Sequence, residues 1–336
     1  MNFDNYRLTR SDMSQQTKIE WCDSTFNPWI GCTKVSPACD DCYAARSTPA
    51  RALGVTWGPG QPRRRTSASN WKLPLKWNAS ASSFHAEHGR RQRVFCASLA
   101  DVFDNDVPAD WRDELWQLIA ATPNLDWLIL TKRIGNVKQM LPDVEDFDVE
   151  FPNVWIGATI CNQAEADRDI PKLLATPARV RFLSIEPLIG PVNLHLKRDP
   201  TDLKDLHWVI VGGESGFSAR PMSPDWARLL RDQCARSGIA FHFKQWGEWL
   251  PMLGQAQGVA VRPGKVTTAD GWVMGWAGKK AAGRKLDGQI HGAFPVASHV
   301  PKTVDMESCT RAYNRPLSAH SQVNFSPVLG KSGDQP

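Results

Sequence analysis

No stretch of the 336-residue chain comes near the run of about 18 apolar residues that a bilayer-spanning helix needs. The polar segment Met1 to Thr17 also lacks the apolar centre of a secretion signal. These two absences lead to the expectation of a soluble, cytoplasmic chain with no membrane partner. An excess of one charge is missing too. Forty Lys and Arg against 35 Asp and Glu leave a net charge of +5, which permits binding to nucleic acid without demanding it. Several catalytic signatures fail on spacing. In Gly212-Gly213-Glu214-Ser215-Gly216 the first glycine of a dinucleotide-binding frame would have to stand at Val211. Before Gly278-Lys279-Lys280, Val273 stands where a phosphate-binding loop needs its first glycine, and no Ser or Thr follows Lys279. No serine occupies a G-x-S-x-G elbow, and the histidines show no H-E-x-x-H spacing. Nucleotide triphosphatase and ordinary hydrolase chemistry therefore have no visible carrier.

Cysteine is sparse, eight in all, and a chain this long with so few does not read as a disulfide scaffold. Three of them, Cys32, Cys39 and Cys42, nevertheless share one short loop. Thiolates at that spacing repel one another until a cation neutralises them, so the loop points to zinc or to an iron–sulfur cluster. Three ligands are one short of four. A structural zinc would close its fourth position, with Cys22 as candidate, and would make a non-catalytic nucleic-acid-binding module; a cluster can leave one iron open to cofactor or substrate. A thiol redox site at Cys39-x-x-Cys42 leaves Cys32 unexplained. Outside the zinc reading, Cys22 joins Cys96, Cys161, Cys234 and Cys309 as small hydrophobes or incidental thiols.

The rest of the pattern is regular. Trp21, Phe26 and Trp29 anchor an entering strand that runs into the cysteine loop, and Tyr43-Ala44-Ala45-Arg46 begins a helix. Arg63, Arg64 and Arg65 follow a Gly/Pro-rich loop beside Trp57, Trp71 and Trp77, a combination that grips phosphates and stacks on bases. Apolar runs then recur at 93–98, 126–131, 153–159, 179–185, 207–211 and 239–243, separated by helical stretches. Asp110 is expected to cap the first of these helices, Asn162 with Glu165 to start another, and Ser223, Pro224 and Gly238 to bound the last. Runs without alternation are buried on both faces, which implies parallel βα units and an α/β fold, a full or partial barrel. Such folds work at the C-terminal ends of their strands. Those ends carry Ser98 and Asp101, Lys132 and Arg133, Thr159, Ser184 and Glu186, Glu214 and Ser215, and Lys244 and Gln245. The cysteine loop belongs on the same rim. The expected division is an extension over 1–16, the barrel domain over 17–250, a basic and aromatic segment over 251–300 packed on it, and a flexible tail over 301–336.

Together, Asn27-Pro28-Trp29, Gly31-Cys32, Cys39-Asp40-Asp41-Cys42-Tyr43, Phe182-Leu183-Ser184-Ile185-Glu186-Pro187-Leu188, Gly212 to Gly216 and Lys244-Gln245-Trp246-Gly247-Glu248-Trp249 resemble the radical S-adenosylmethionine superfamily, and within it a phage- and prophage-associated three-cysteine family. The resemblance implies a 4Fe–4S cluster on Cys32, Cys39 and Cys42. Its fourth iron would bind S-adenosylmethionine (SAM), cleaved on reduction to a 5′-deoxyadenosyl radical that abstracts hydrogen from a substrate. It also implies an electron donor such as flavodoxin or ferredoxin. Ser98 and Asp101 would then meet the methionyl amine, Lys132 or Arg133 its carboxylate, Ser184 and Glu186 the ribose, and the backbone at Gly212 and Gly213, beside Glu214, the adenine. Arg63, Arg64, Arg65, Lys244 and Gln245 are the expected substrate contacts, on a nucleotide or a base in DNA or RNA, such as a modified phage DNA base. The loop departs from the superfamily's usual pattern, with six residues between Cys32 and Cys39 and Asp41 in place of the aromatic before the last cysteine.

Overall fold

The apolar runs become strands of one parallel sheet because each has two apolar faces to bury and no polar face to leave in water. The computed structural model describes residues 17, 19–195, 206–253, 258–263 and 266–295; the expected extension over 1–16 and tail over 301–336 lie outside them. In chain order the strands are β1 (Ser24–Phe26), β2 (Trp29–Ile30), β3 (Arg64–Arg65), β4 (Gln92–Cys96), β5 (Leu125–Thr131), β6 (Val154–Thr159), β7 (Val180–Ile185), β8 (Trp208–Gly212), β9 (Ala240–Gln245), β10 (Trp249–Pro251), β11 (Val266–Ala269) and β12 (Trp272–Trp276). Seven of them form an all-parallel sheet in the order β1-β4-β5-β6-β7-β8-β9, curled into a half-barrel. The α/β partial barrel is therefore the fold.

Alternate residues divide between the two faces. Phe95, Leu128, Trp155, Phe182, Trp208 and Ile210 join Trp21 in a cluster on one face. Their strand neighbours Val94, Ile129, Ile156, Leu183 and Val209 pack in the larger cluster with the crossover helices. Those helices include Ala109–Ala120, Gln163–Leu174 and Pro224–Ser237. The last begins at Ser223, whose hydroxyl accepts from the Asp225 N–H, and ends at Gly238 with φ +67°, a left-handed turn suited to glycine. Asn162 caps its helix through the Glu165 N–H, while Glu165 reaches back to the Cys161 N–H rather than to that of Asn162.

Two local expectations are corrected. Asp110 lies inside the first turn of its helix, which starts after Pro108 with no side-chain cap. There the carboxylate is held favourably by the positive end of the helix dipole but caps no backbone N–H. Residues Tyr43 to Arg46 form turns, and the short helix begins at Thr48, because Tyr43 is drawn away to the Ser98 carbonyl.

The half-barrel is closed at its β9 edge by the segment 291–294. Phe243 donates its N–H to the His291 carbonyl and Ala293 donates to Phe241, with an antiparallel bridge between His242 and Gly292. This covers ladder groups that would otherwise form an exposed sheet edge. Phe294 then lies against Trp208 and under the Arg93 guanidinium, 3.8 Å from its ring centre. The basic aromatic segment after Gly271 contains part of an antiparallel sheet, β10-β12-β11.

Candidate active site

The inward-facing side chains change character along the strands, from Trp155, Phe182 and Trp208 at the base to Thr159, Ser184, Gly212 and Lys244 at the C-terminal ends. The register pairs Thr159 with Ser184. Lys244 holds both carboxylate oxygens of Glu186, at 2.8 and 2.7 Å, and Gln245 donates to the same group at 3.1 Å. Burial alone would raise the Glu186 carboxyl; the Lys244 ammonium outweighs it and holds the group below its usual range. Two buried polar atoms at this end, Thr159 Oγ1 and Gln245 Oε1, have no hydrogen-bond partner among the described residues. Core indoles such as that of Trp155 are left the same way, but at the strand ends such groups are placed to take a polar ligand or water as partner.

The cysteine loop lies across this mouth, tied to the ends of several strands. Tyr43 donates its hydroxyl to the Ser98 carbonyl after β4, at 2.9 Å. Arg133, after β5, donates to the Cys32 sulfur at 3.3 Å, the Thr33 carbonyl at 2.7 Å and the Asp101 carboxylate at 3.1 Å. Ser36 meets Cys161 after β6 at 3.9 Å. From beyond β8, Arg220 pairs with Glu214 at 2.6 Å and reaches Asp40 and the Pro37 carbonyl. Arg220 escaped the sequence reading, since nothing in its local pattern distinguishes it from a solvated surface cation.

Other expected site residues have partners of their own. Asp101 is buried and accepts from the Thr131 hydroxyl and from the N–H groups of Phe103 and Lys132 as well as from Arg133. Ser98 bonds with the Asn27 amide. Lys132 lines a cleft of about 310 Å³ that borders the loop at Val35 and also takes in Arg133, Arg168 and Lys172. Gly212 stands where a Cβ would lie 3.3 Å from Glu186. A Cβ on Gly213 would come within 1.9 Å of the Trp246 carbonyl, so the close approach of the chain just after β8 to the chain just after β9 accounts for that glycine. Arg63 spends all five N–H donors, on Asp104, Asp106, Thr33 and the Gly58 and Gln61 carbonyls. Its side chain is wholly buried, which leaves nothing for a phosphate and corrects the expectation placed on it. Arg65 pairs with Glu114 and stacks on Trp71; Arg64 alone of the three is exposed.

The thiols test the two metal readings differently. Among the described residues no three His, Cys, Asp or Glu side chains gather closely enough to hold one metal ion. Cys22 sits instead with Trp21, Phe95 and Trp208 in the apolar cluster, where burial pushes its thiol well up. That removes the four-thiolate zinc site. A four-iron cluster asks something else of Cys32, Cys39 and Cys42, one sulfur for each of three separate irons, so its thiols stand apart. All three are free, and an N–H donor already faces one sulfur, as clusters favour. The donor set fits. Without a metal, burial and the nearby Asp101 carboxylate push the Cys32 thiol up to about 12, against the pull of Arg133.

A family model described as protein of unknown function (DUF5131) matches residues 16–295. Among solved structures the chain is similar to a variant of spore photoproduct lyase with bound AdoMet and dinucleoside spore photoproduct, at 12% identity and a TM-score of 0.38, over 76% of this chain and 68% of that one. A second variant of the same enzyme matches at 11% identity and a TM-score of 0.36, over 80% and 72%. Among curated proteins there was no match.

Proposed function

The chain belongs to the DUF5131 family, whose description leaves its activity open, and from that premise we propose that it is a radical SAM enzyme acting on a nucleotide or a nucleic-acid base. The observation that carries the reading is the loop of three free thiols strapped over the C-terminal mouth of a parallel half-barrel. A 4Fe–4S cluster held by Cys32, Cys39 and Cys42 would supply one-electron cleavage of SAM to a 5′-deoxyadenosyl radical that abstracts hydrogen from the substrate.

The chain's own residues supply position. Arg133 sets its charge against the Cys32 sulfur and fixes the loop through Thr33. Thr159 and Ser184 offer hydroxyls inside the mouth, suited with Glu186 to a ribose. Lys244, steered by Glu186, keeps a cation where a substrate oxygen can accept a hydrogen bond. Trp155, Phe182 and Trp208 close the floor against water. The barrel unit is 17–250, and the later segment packs on it through Trp246, which donates to the Lys285 carbonyl. A base from a duplex must be flipped or presented single-stranded to enter such a mouth.

Anaerobic reconstitution with iron and sulfide tests this. The expected product binds about four irons per chain and releases 5′-deoxyadenosine from SAM on reduction; Cys32→Ala, Cys39→Ala and Cys42→Ala each abolish both. A colourless protein holding one zinc would overturn the reading.

A further inference from the structure

Phe217 is 76% exposed, on the loop that follows β8 at the edge of the mouth. Its position is fixed by its neighbours. Glu248 binds the Gly216 N–H through one carboxylate oxygen at 3.1 Å and the Lys279 N–H through the other at 3.0 Å. The phenylalanine loop and the Lys279-Lys280 turn are thus held side by side. Gly216, with φ +119°, turns the chain outward at a point where an added Cβ would stand 3.8 Å from the Arg46 guanidinium. Lys279 is also close enough to Glu186 to help depress its carboxyl, which puts that lysine beside the chamber.

Two of the cations there stand without a close counter-ion among the described residues. Arg46 pairs with Asp41 and Arg220 with Asp40 and Glu214, while Glu248 is occupied by two backbone N–H groups. Lys279 and Lys280 are exposed, and neither ammonium has a hydrogen-bond or ion-pair partner among the described residues. An exposed aromatic face next to unpaired cations suits a ligand that is flat in one part and anionic in the next. Stacking on an aromatic ring requires bases that are not already stacked in a duplex.

We propose that Phe217, Lys279 and Lys280 form a binding rim for single-stranded nucleic acid, with one base on the phenyl ring and the adjoining phosphates on the lysines. The proposal deepens the function proposed above and rests on it for the direction of the strand into the mouth, but binding at the rim needs no iron.

The test is fluorescence anisotropy of the full chain with a labelled oligothymidylate of about twelve nucleotides, beside the same sequence as a duplex and thymidine monophosphate alone. The strand is expected to bind at least tenfold more tightly than either. Phe217→Ala weakens it about tenfold and Phe217→Trp restores it. Lys279→Ala and Lys280→Ala each lower the slope of log affinity against log salt by about 0.7, the value for one phosphate contact on a single strand. Lys138→Ala, on an exposed helix face elsewhere, leaves affinity unchanged. Equal or tighter binding of duplex, indifference to Phe217→Ala, or no binding at low salt overturns the rim. The two proposals separate cleanly: strand binding with no 5′-deoxyadenosine released sinks the radical chemistry and keeps the rim, whereas release on free nucleotides without strand binding does the reverse.

Discussion

Arg63 and Asp104 show how a side chain that reads as a ligand contact becomes part of the frame. The guanidinium is sealed between the Asp104 and Asp106 carboxylates, and Asp104 is itself buried. Removing one partner of a buried pair leaves an uncompensated charge, so Arg63→Ala should lower stability by about 3–5 kcal/mol. A fall in the urea midpoint at unchanged slope checks this; an unchanged midpoint would return Arg63 to the surface. Glu186 gives a prediction in pH. Lys244 holds its folded carboxyl below the unfolded value, so the pair stabilises the fold above the ordinary carboxylate range and that contribution is lost as pH falls through the depressed value. In Lys244→Met the largest lowering influence is gone and only the Gln245 amide and the more distant Lys279 still act against burial, so the carboxyl rises and the stability lost on acidification shrinks. Urea midpoints across pH 3 to 7 distinguish the two slopes. None of this was legible beforehand. A run of three arginines does not state which one turns inward, and partner choice at Arg133 and Arg220 is settled by strands far apart in sequence.

At the scale of elements the sequence speaks more clearly. Six of the seven parallel strands were legible because burial on both faces leaves unbroken apolar runs, the first, Ser24–Phe26, only through the aromatics around it, and the helix Pro224–Ser237 because Ser223 and Gly238 mark its ends by local chemistry alone. Capping by Asp110 was misread because a proline two residues earlier already sets the entry. Glycines that serve packing were invisible as such. Gly157, in the middle of β6, stands where a Cβ would lie 2.4 Å from the Phe182 ring, and that ring is fully buried. Gly157→Ala should therefore cost about 1–3 kcal/mol through overpacking. Phe182→Leu, itself destabilising, should cost less in the Gly157→Ala background than in the parent. Additive midpoints for the double variant would mean that the ring moves aside freely.

For the molecule as a whole, the parallel sheet and its polar rim could be read from the pattern, but the way the half-barrel is closed could not. Closure depends on His291 to Phe294 running along β9 and on two arginines holding the cysteine loop from opposite sides of the mouth. Neither leaves a periodic trace. The second device can be separated from mere charge balance. Arg220→Ala strips the buried Glu214 carboxylate of its cation and should cost about 2 kcal/mol, less than for a sealed pair because Arg220 is one-third exposed. Glu214→Gln added to Arg220→Ala removes the stranded charge, so most of that stability should return. The hold on Pro37 and Asp40 does not return with it. If Arg220 positions the loop, the double variant regains its urea midpoint yet is cut faster by protease between Thr33 and Arg46 and takes up less iron on reconstitution. Should it recover protease resistance and iron content along with stability, Arg220 is only the counter-ion of Glu214, and Arg133 with Tyr43 suffices to keep the three thiols over the mouth.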